Sequence, residues 1–262
     1  MTIFVKPKLT RLSFRKRRSR RRGRTILISM LLLVLAGIAY LSHLFLTGFY
    51  PAPTGRVAGN LYAAKAGYSS VYLYRDGASI VAVDAGDRPA ALQAALSQLK
   101  IDPLTVSAVF LTHADYDHIA GLDLFRKATI YLSAAEAPLA EGKQPRFFGL
   151  IRNPKLTRAY RTLRDGETVQ IGSIAIQALA TPGHTTGSMS YLLNNTALCT
   201  GDALALRDGR ARPFYRFFNM DEAAGRKSLA KLAGLPNIAV LATSHTGFTT
   251  DVPRALRDYA AE

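Results

Sequence analysis

The sequence predicts a mixed α/β domain, sheets covered by helices, behind a single membrane-spanning helix. Two patterns beyond residue 56 point to the domain. Short β-branched or aromatic runs recur there, closed by Gly, Asp, Asn or Thr, and segments of helical periodicity separate them at intervals. The third pattern lies ahead of them: a long uncharged apolar run directly behind a basic tail. The early strands stand close together and the helices come later, which excludes an all-helical bundle.

The tail comes first. Residues 1–24 carry eleven of the 34 Lys and Arg and no acid, leaving 23 basic against 18 acidic residues in the rest of the chain. The net charge of +16 therefore belongs mainly to the tail. Beside an apolar run, such a tail reads as a topology signal and a contact for anionic lipid. Nucleic acid is not the expected partner, because aromatic residues are sparse in it.

No Asp, Glu, Lys or Arg occurs between Arg24 and Arg56. As helix, residues 25–47 extend about 35 Å, enough for a hydrocarbon core of about 30 Å. They read as an uncleaved signal-anchor: the run is long for a signal peptide, and no A-x-A site precedes "PAPTG". The expectation is a single-pass membrane protein with a cytoplasmic N-terminus. Phe49 and Tyr50 would sit at the outer interface and the remaining chain in the periplasm or outside the cell. Residues 48–56 read as a linker and 57–262 as one domain.

Within that domain, "SSVYLYR", "SIVAVDAG", "VSAVFLT", "TIYLS", "SIAIQALA", "SMSYLLN" and "IAVLATS" read as strands. "RPAALQAALSQLK", "EAAGRKSLAKLAG" and "VPRALRDYAAE" read as helices. A further helix is expected at "HIAGLDLF". Two basic, aromatic segments, 141–160 and 206–220, read as rims, with Arg146, Phe147, Arg212 and Tyr215 as candidate contacts for an anionic substrate. The single Cys199 excludes an intrachain disulfide and a thiolate metal cluster.

Four of the five histidines, His113, His118, His184 and His245, stand just past apolar strand-like runs, and Asp202 is placed the same way. Strand ends at one sheet edge are where residues distant in sequence converge on a ligand. With Asp115 and Asp117 they make seven imidazole and carboxylate candidates. Such a set without thiolate suits Zn, Fe or Mn, and seven donors suffice for two metals with positions left for water.

"THADYDH", "TPGHTTGS", "TGD" and "SHTG", in that order, resemble the metal motifs of the metallo-β-lactamase fold superfamily, over essentially all of residues 57–250. The resemblance implies an αββα four-layer sandwich. It implies a first metal on His113 and His184, a second on Asp117, His118 and His245, and Asp202 bridging them. Asp84 would hold the site loop, while Ser188 and Thr185 (or Thr186) would orient the loop of His184. The usual H-x-H-x-D-H reads here as H-x-D-x-D-H. Asp115 is therefore either a variant ligand of the first metal or a cap on the following helix.

The implied activity is metal-dependent hydrolysis of an ester, thioester, lactone or phosphodiester in a small molecule. Asp117 and Asp202 would be its catalytic carboxylates. Two divalent ions are expected, zinc first, with Fe or Mn admitted by the hard oxygen ligand at Asp115. The alternatives are an iron-dependent oxygenase resembling sulfur dioxygenase, and a β-lactamase.

Overall fold

The computed structural model describes residues 11–146 and 149–259, with side chains placed from residue 21 onward except at 44 and 45. The chain divides into two compact units, Met1–Gly48 and Phe49–Glu262.

The first unit is helix α1 (Arg11–Gly48). Its stretch Arg21–Gly48 has a mean hydropathy of 2.3 and is long and apolar enough to cross a membrane. Leu27, Leu31, Leu33 and Ile38 are all exposed.

The second unit opens with β1 (Gly55–Ala58), β2 (Leu61–Lys65), β3 (Ser70–Asp76) and β4 (Ser79–Val83). Helix α2 (Pro89–Gln98), with proline in its first turn, leads to β5 (Ala108–Phe110). Then come α3 (Tyr116–Ile119), β6 (Thr129–Ser133), α4 (Ala137–Ala140), the short pair β7 (Pro145–Arg146) and β8 (Ile151–Arg152), and β9 (Tyr160–Leu163). The second half comprises β10 (Thr168–Ile171), β11 (Ile174–Ala180), β12 (Met189–Leu193), β13 (Ala197–Cys199) and the hairpin β14 (Leu204–Arg207)–β15 (Arg210–Pro213). It ends with α5 (Glu222–Ala233), β16 (Val240–Ala242), β17 (Phe248–Thr249) and α6 (Val252–Leu256).

Two sheets result, ordered β1-β2-β3-β4-β5-β6-β9 and β10-β11-β12-β13-β16-β17. Alternation along each strand sends side chains to opposite faces, and here both faces are buried. Tyr72, Tyr74, Phe110 and Tyr131 meet Ile176, Met189, Tyr191 and Val240 between the sheets. Val71, Leu73, Val109 and Ile130 face outward onto Leu92 and Leu96 of α2. Leu179, Leu192, Leu198 and Leu241 face outward onto Leu229 and Leu232 of α5 and Val252 and Leu256 of α6. Three apolar layers between four structural ones make the αββα sandwich. They also explain why the strands read as unbroken apolar runs, since a strand buried on both faces has no polar side.

Two features depart from the sequence reading. The helix expected at "HIAGLDLF" stops at Ile119, and residues Leu122–Leu124 form a separate 3-10 turn. Gly121 lies against the Ala85 carbonyl, where any Cβ would collide, and its N–H donates to that oxygen at 3.2 Å. Docking on the loop after β4 therefore ends the helix. The second concerns the expected linker 48–56, of which residues 49–56 belong to the second unit and pack within it. Tyr50 N donates to the His245 carbonyl, and buried Ala52 donates to Ser70 Oγ at 2.9 Å. Phe49 packs on Phe214 and on the His245 ring, 4.8 Å between centroids in the latter case.

Candidate metal centre

Strand direction decides where the site forms. β4 and β5 run parallel. β11 and β13 are each antiparallel to β12, and β13 is parallel to β16, so β11, β13 and β16 point the same way. Asp84 follows β4, His113 follows β5, His184 follows β11, Asp202 follows β13 and His245 follows β16. All five thus leave the C-terminal ends of strands. The two sheets are tied at that edge by Met189 N donating to the Thr112 carbonyl at 2.8 Å and by Tyr191 Oη donating to the Leu111 carbonyl at 2.7 Å.

The hydrogen bonds assign the histidine tautomers. His118 Nδ1 lies 2.8 Å from Asp84 Oδ2, and His245 Nδ1 lies 2.7 Å from the Tyr68 carbonyl. A carboxylate and a carbonyl only accept, so both Nδ1 atoms carry the proton. Thr112 Oγ1 spends its single proton on Asp84, 2.9 Å away, and so accepts from His113 Nδ1 at 3.0 Å. In its neutral form each of the three rings then keeps its lone pair on Nε2.

These lone pairs are aimed inward. His113 Nε2, His118 Nε2 and Asp202 Oδ1 are buried with no hydrogen-bond partner. Donor atoms of those three residues lie within 4.8 Å of one another, as do those of Asp117, His118 and His245, and those of His113, Asp115 and His184. Asp202 Oδ2 is 3.3 Å from His245 Nε2 and 3.6 Å from His184 Nε2. Buried acceptors without donors are expensive unless a cation satisfies them. A donor set of imidazole nitrogen and carboxylate oxygen suits a divalent metal.

The charges agree. Burial would push the Asp117 carboxyl up, but His118 and His245 outweigh it and hold it at about 2. Burial would pull His245 down, but Asp202, then Asp117, lift it to about 10. The carboxylates draw positive charge into the site, and protons supply it where a metal otherwise would. Asp117 is the open member, its side chain 39% exposed against 3% for Asp202.

Around this centre the Asp84 carboxylate accepts from Thr112 N, Thr112 Oγ1, His118 Nδ1 and Ser244 Oγ. Thr185 and Ser188 lock the His184 loop: Thr185 N donates to Ser188 Oγ at 3.0 Å, and Thr185 Oγ1 donates to Glu136 Oε2 at 2.7 Å. Glu136 escaped the sequence reading. It is fully buried and also accepts from Ala114 N and Gly187 N, both at 3.0 Å, joining the two histidine loops. Its one signal in sequence is a lone acid in the small-residue stretch "LSAAEAP".

The rim residues need correction. Arg146, expected on a solvated rim, is 2% exposed and lies against Asp115 and His184. Arg212 is held by Asp258 at 2.7 Å on the surface. Tyr215 belongs to an aromatic group with Phe49, Phe214 and Phe218, and Arg207 sits 4.2 Å over its ring. Phe147 lies outside the described residues. Asp115 occupies the position preceding α3, yet its side chain makes no capping bond. The Arg146 guanidinium takes it instead, which removes the capping role.

The family model described as the metallo-beta-lactamase superfamily matches residues 64–245. The chain belongs to that superfamily. Its relatives include a probable metallo-hydrolase of Methanocaldococcus jannaschii, 30% identical over 58% of this chain and 63% of the relative. A probable polyketide biosynthesis zinc-dependent hydrolase of Bacillus velezensis is 31% identical over 52% and 55%. A hydroxyacylglutathione hydrolase of Acidiphilium cryptum is 32% identical over 66% and 63%. The chain thus spans 55–63% of the length of these three. Among solved structures, a B3 metallo-β-lactamase with an active-site glutamic acid superposes with a TM-score of 0.63 at 27% identity, covering 80% of this chain and 87% of that one.

Proposed function

We propose that this chain is a zinc-dependent hydrolase that cleaves an ester, thioester, lactone or phosphodiester in a small molecule. The observation that carries the reading is the convergence of the unpartnered Nε2 atoms of His113 and His118 with His245 Nε2 and the Asp202 carboxylate at one sheet edge, with Asp117 open beside them. Asp117, His118, Asp202 and His245 would hold the ion. A divalent ion held there would lower the pKa of a bound water towards 7 and polarise the oxygen of the scissile bond. Asp117, ionised at neutral pH, orients the attacking water and takes its proton. Asp84 and the Tyr68 carbonyl keep the imidazoles of His118 and His245 in the metal-binding tautomer. The ring group Phe49, Phe214 and Tyr215 offers the substrate an apolar wall. The surface pairing of Arg212 with Asp258 lends no weight to an anionic substrate.

The test is Asp117→Asn assayed on a panel of esters, thioesters, lactones and phosphodiesters. A fall in kcat/KM of about 10²–10⁴ with unchanged circular dichroism is expected for loss of a proton acceptor. Unchanged turnover would overturn the reading. The likeness to a B3 metallo-β-lactamase at 27% identity favours a second reading, so the panel includes a chromogenic β-lactam. We further propose that residues 25–47 anchor the chain, with the basic tail in the cytoplasm and the domain on the outer side. The apolar stretch and the one-sided arginines support this.

A further inference from the structure

The His113–Asp115–His184 set is the one that the H-x-D-x-D-H pattern alters, and it contains a side chain that the sequence places on a loop. Arg146 reaches in from the β7–β8 hairpin. Its Nε donates to both Asp115 oxygens at 3.1 Å, and its Nη2 donates to Asp115 Oδ2 at 2.7 Å. Nη1 donates to the His184 carbonyl at 2.9 Å, and Nη2 also reaches the Phe218 carbonyl at 3.0 Å. Asn153 Nδ2 fills the remaining side of Asp115, 2.8 Å from Oδ1.

The contact that decides the matter is the one to His184. Arg146 Nη2 lies 3.1 Å from His184 Nε2. His184 Nε2 is also 3.3 Å from Asp115 Oδ2, so the guanidinium and the carboxylate enclose it together. Whichever of the two it bonds, a metal on Nε2 would have to displace that partner. Asp115 is committed in the same way, with three N–H groups on its two oxygens. The set of Asp117, His118, Asp202 and His245 differs: His118 Nε2 and Asp202 Oδ1 have no hydrogen-bond partner, and the one unpartnered nitrogen of the first set, His113 Nε2, lies within reach of those two.

We propose that the Arg146 guanidinium is the resident cation of the His113–Asp115–His184 set, and that the chain binds a single divalent ion, on Asp117, His118, Asp202 and His245. This rests on the metal-dependent reading of the same site and replaces the second ion expected from the motif with a side chain. The exchange is chemically coherent. Replacing a neutral imidazole by the Asp115 carboxylate adds one negative charge, and a buried guanidinium in fork geometry is the side chain that best satisfies a carboxylate. Its charge is permanent, so the set keeps its cation when metal is scarce. A divalent ion entering beside it would meet like charge at close range in a water-poor pocket.

The experiment is a Co(II) titration of the metal-stripped full-length protein, followed by its visible absorption and checked by elemental analysis after dialysis against zinc. The wild type should saturate at one equivalent. Arg146→Gln, which cannot supply the charge, should take up two, the second with a distinct absorption band. A wild type that binds two equivalents overturns the inference but leaves the hydrolase reading standing. A wild type that binds none overturns both. Arg146→Gln that keeps its near-UV circular dichroism but still binds one equivalent also overturns the inference. If that variant fails to fold, the wild-type stoichiometry decides alone.

Discussion

Asp84 shows how much of this site depends on one backbone position. It adopts φ +64° while 1% exposed, a conformation that aspartate tolerates better than most residues. The bend turns its carboxylate back on Thr112, His118 and Ser244. Removing it leaves His118 Nδ1–H without an acceptor and frees the ring to flip. Asp84→Ala should therefore weaken metal binding by about 10–100-fold, read by competition with a chromophoric chelator. Asp84→Asn keeps both the backbone tolerance and one acceptor oxygen, so its loss should be the smaller. Asp115 belongs to the same scale. Its pairing with Arg146 is buried, and Asp115→Ala strands a guanidinium, a change that costs about 3–5 kcal/mol. A large fall in thermal midpoint with or without metal should follow.

The turn after β6 and the loop after β11 act as one element because Glu136 bridges them. Gly187 packs so closely on the Glu136 backbone that a Cβ has no room. Gly187→Ala should destabilise the fold by about 1–3 kcal/mol, the usual cost of overpacking, and a denaturant titration measures it. Burial outweighs the hydrogen bonds from Thr185 and Ala114 and lifts the Glu136 carboxyl to about 7 from its ordinary 4.5. Folded protein then holds a proton between those two values that unfolded chain has released. The contribution of Glu136 to stability is present below pH 4.5 and lost as pH rises through 7, a change of roughly 3 kcal/mol. Glu136→Gln should flatten the stability profile across that window; an unchanged slope would mean that other groups set it.

For the whole molecule, two physical demands stand side by side. One helix meets the length and polarity that a bilayer requires, so the full-length protein should stay in the membrane pellet after an alkaline carbonate wash. The other demand is the cation that the cluster of buried carboxylates and bare lone pairs calls for. A metal bound at a hundred times its Kd stabilises the native state by about 2.7 kcal/mol. Chelation should lower the thermal midpoint by several degrees, and restored zinc should return it. A midpoint indifferent to both would mean that the centre does not hold metal in the folded state.

The linear sequence by itself determined the strand runs, the apolar span and the chemistry-bearing residues at the strand ends. Each rests on local pattern: alternation, uninterrupted hydropathy, or His and Asp just past an apolar run. Asp84, Thr185 and Ser188 were also legible, through the motifs around them. Tertiary structure alone decided the rest. Whether Arg146 is solvated or buried depends on where the β7–β8 hairpin folds, and arginine in a basic loop carries no local mark of either outcome. Glu136, Asn153 and Phe49 reach the site from segments with no motif of their own. The break of the helix at Ile119 follows from the Ala85 carbonyl, which lies 36 residues from Gly121. Period and polarity are written along the chain, but which cation occupies a carboxylate is settled by the groups that folding brings within 3 Å of it.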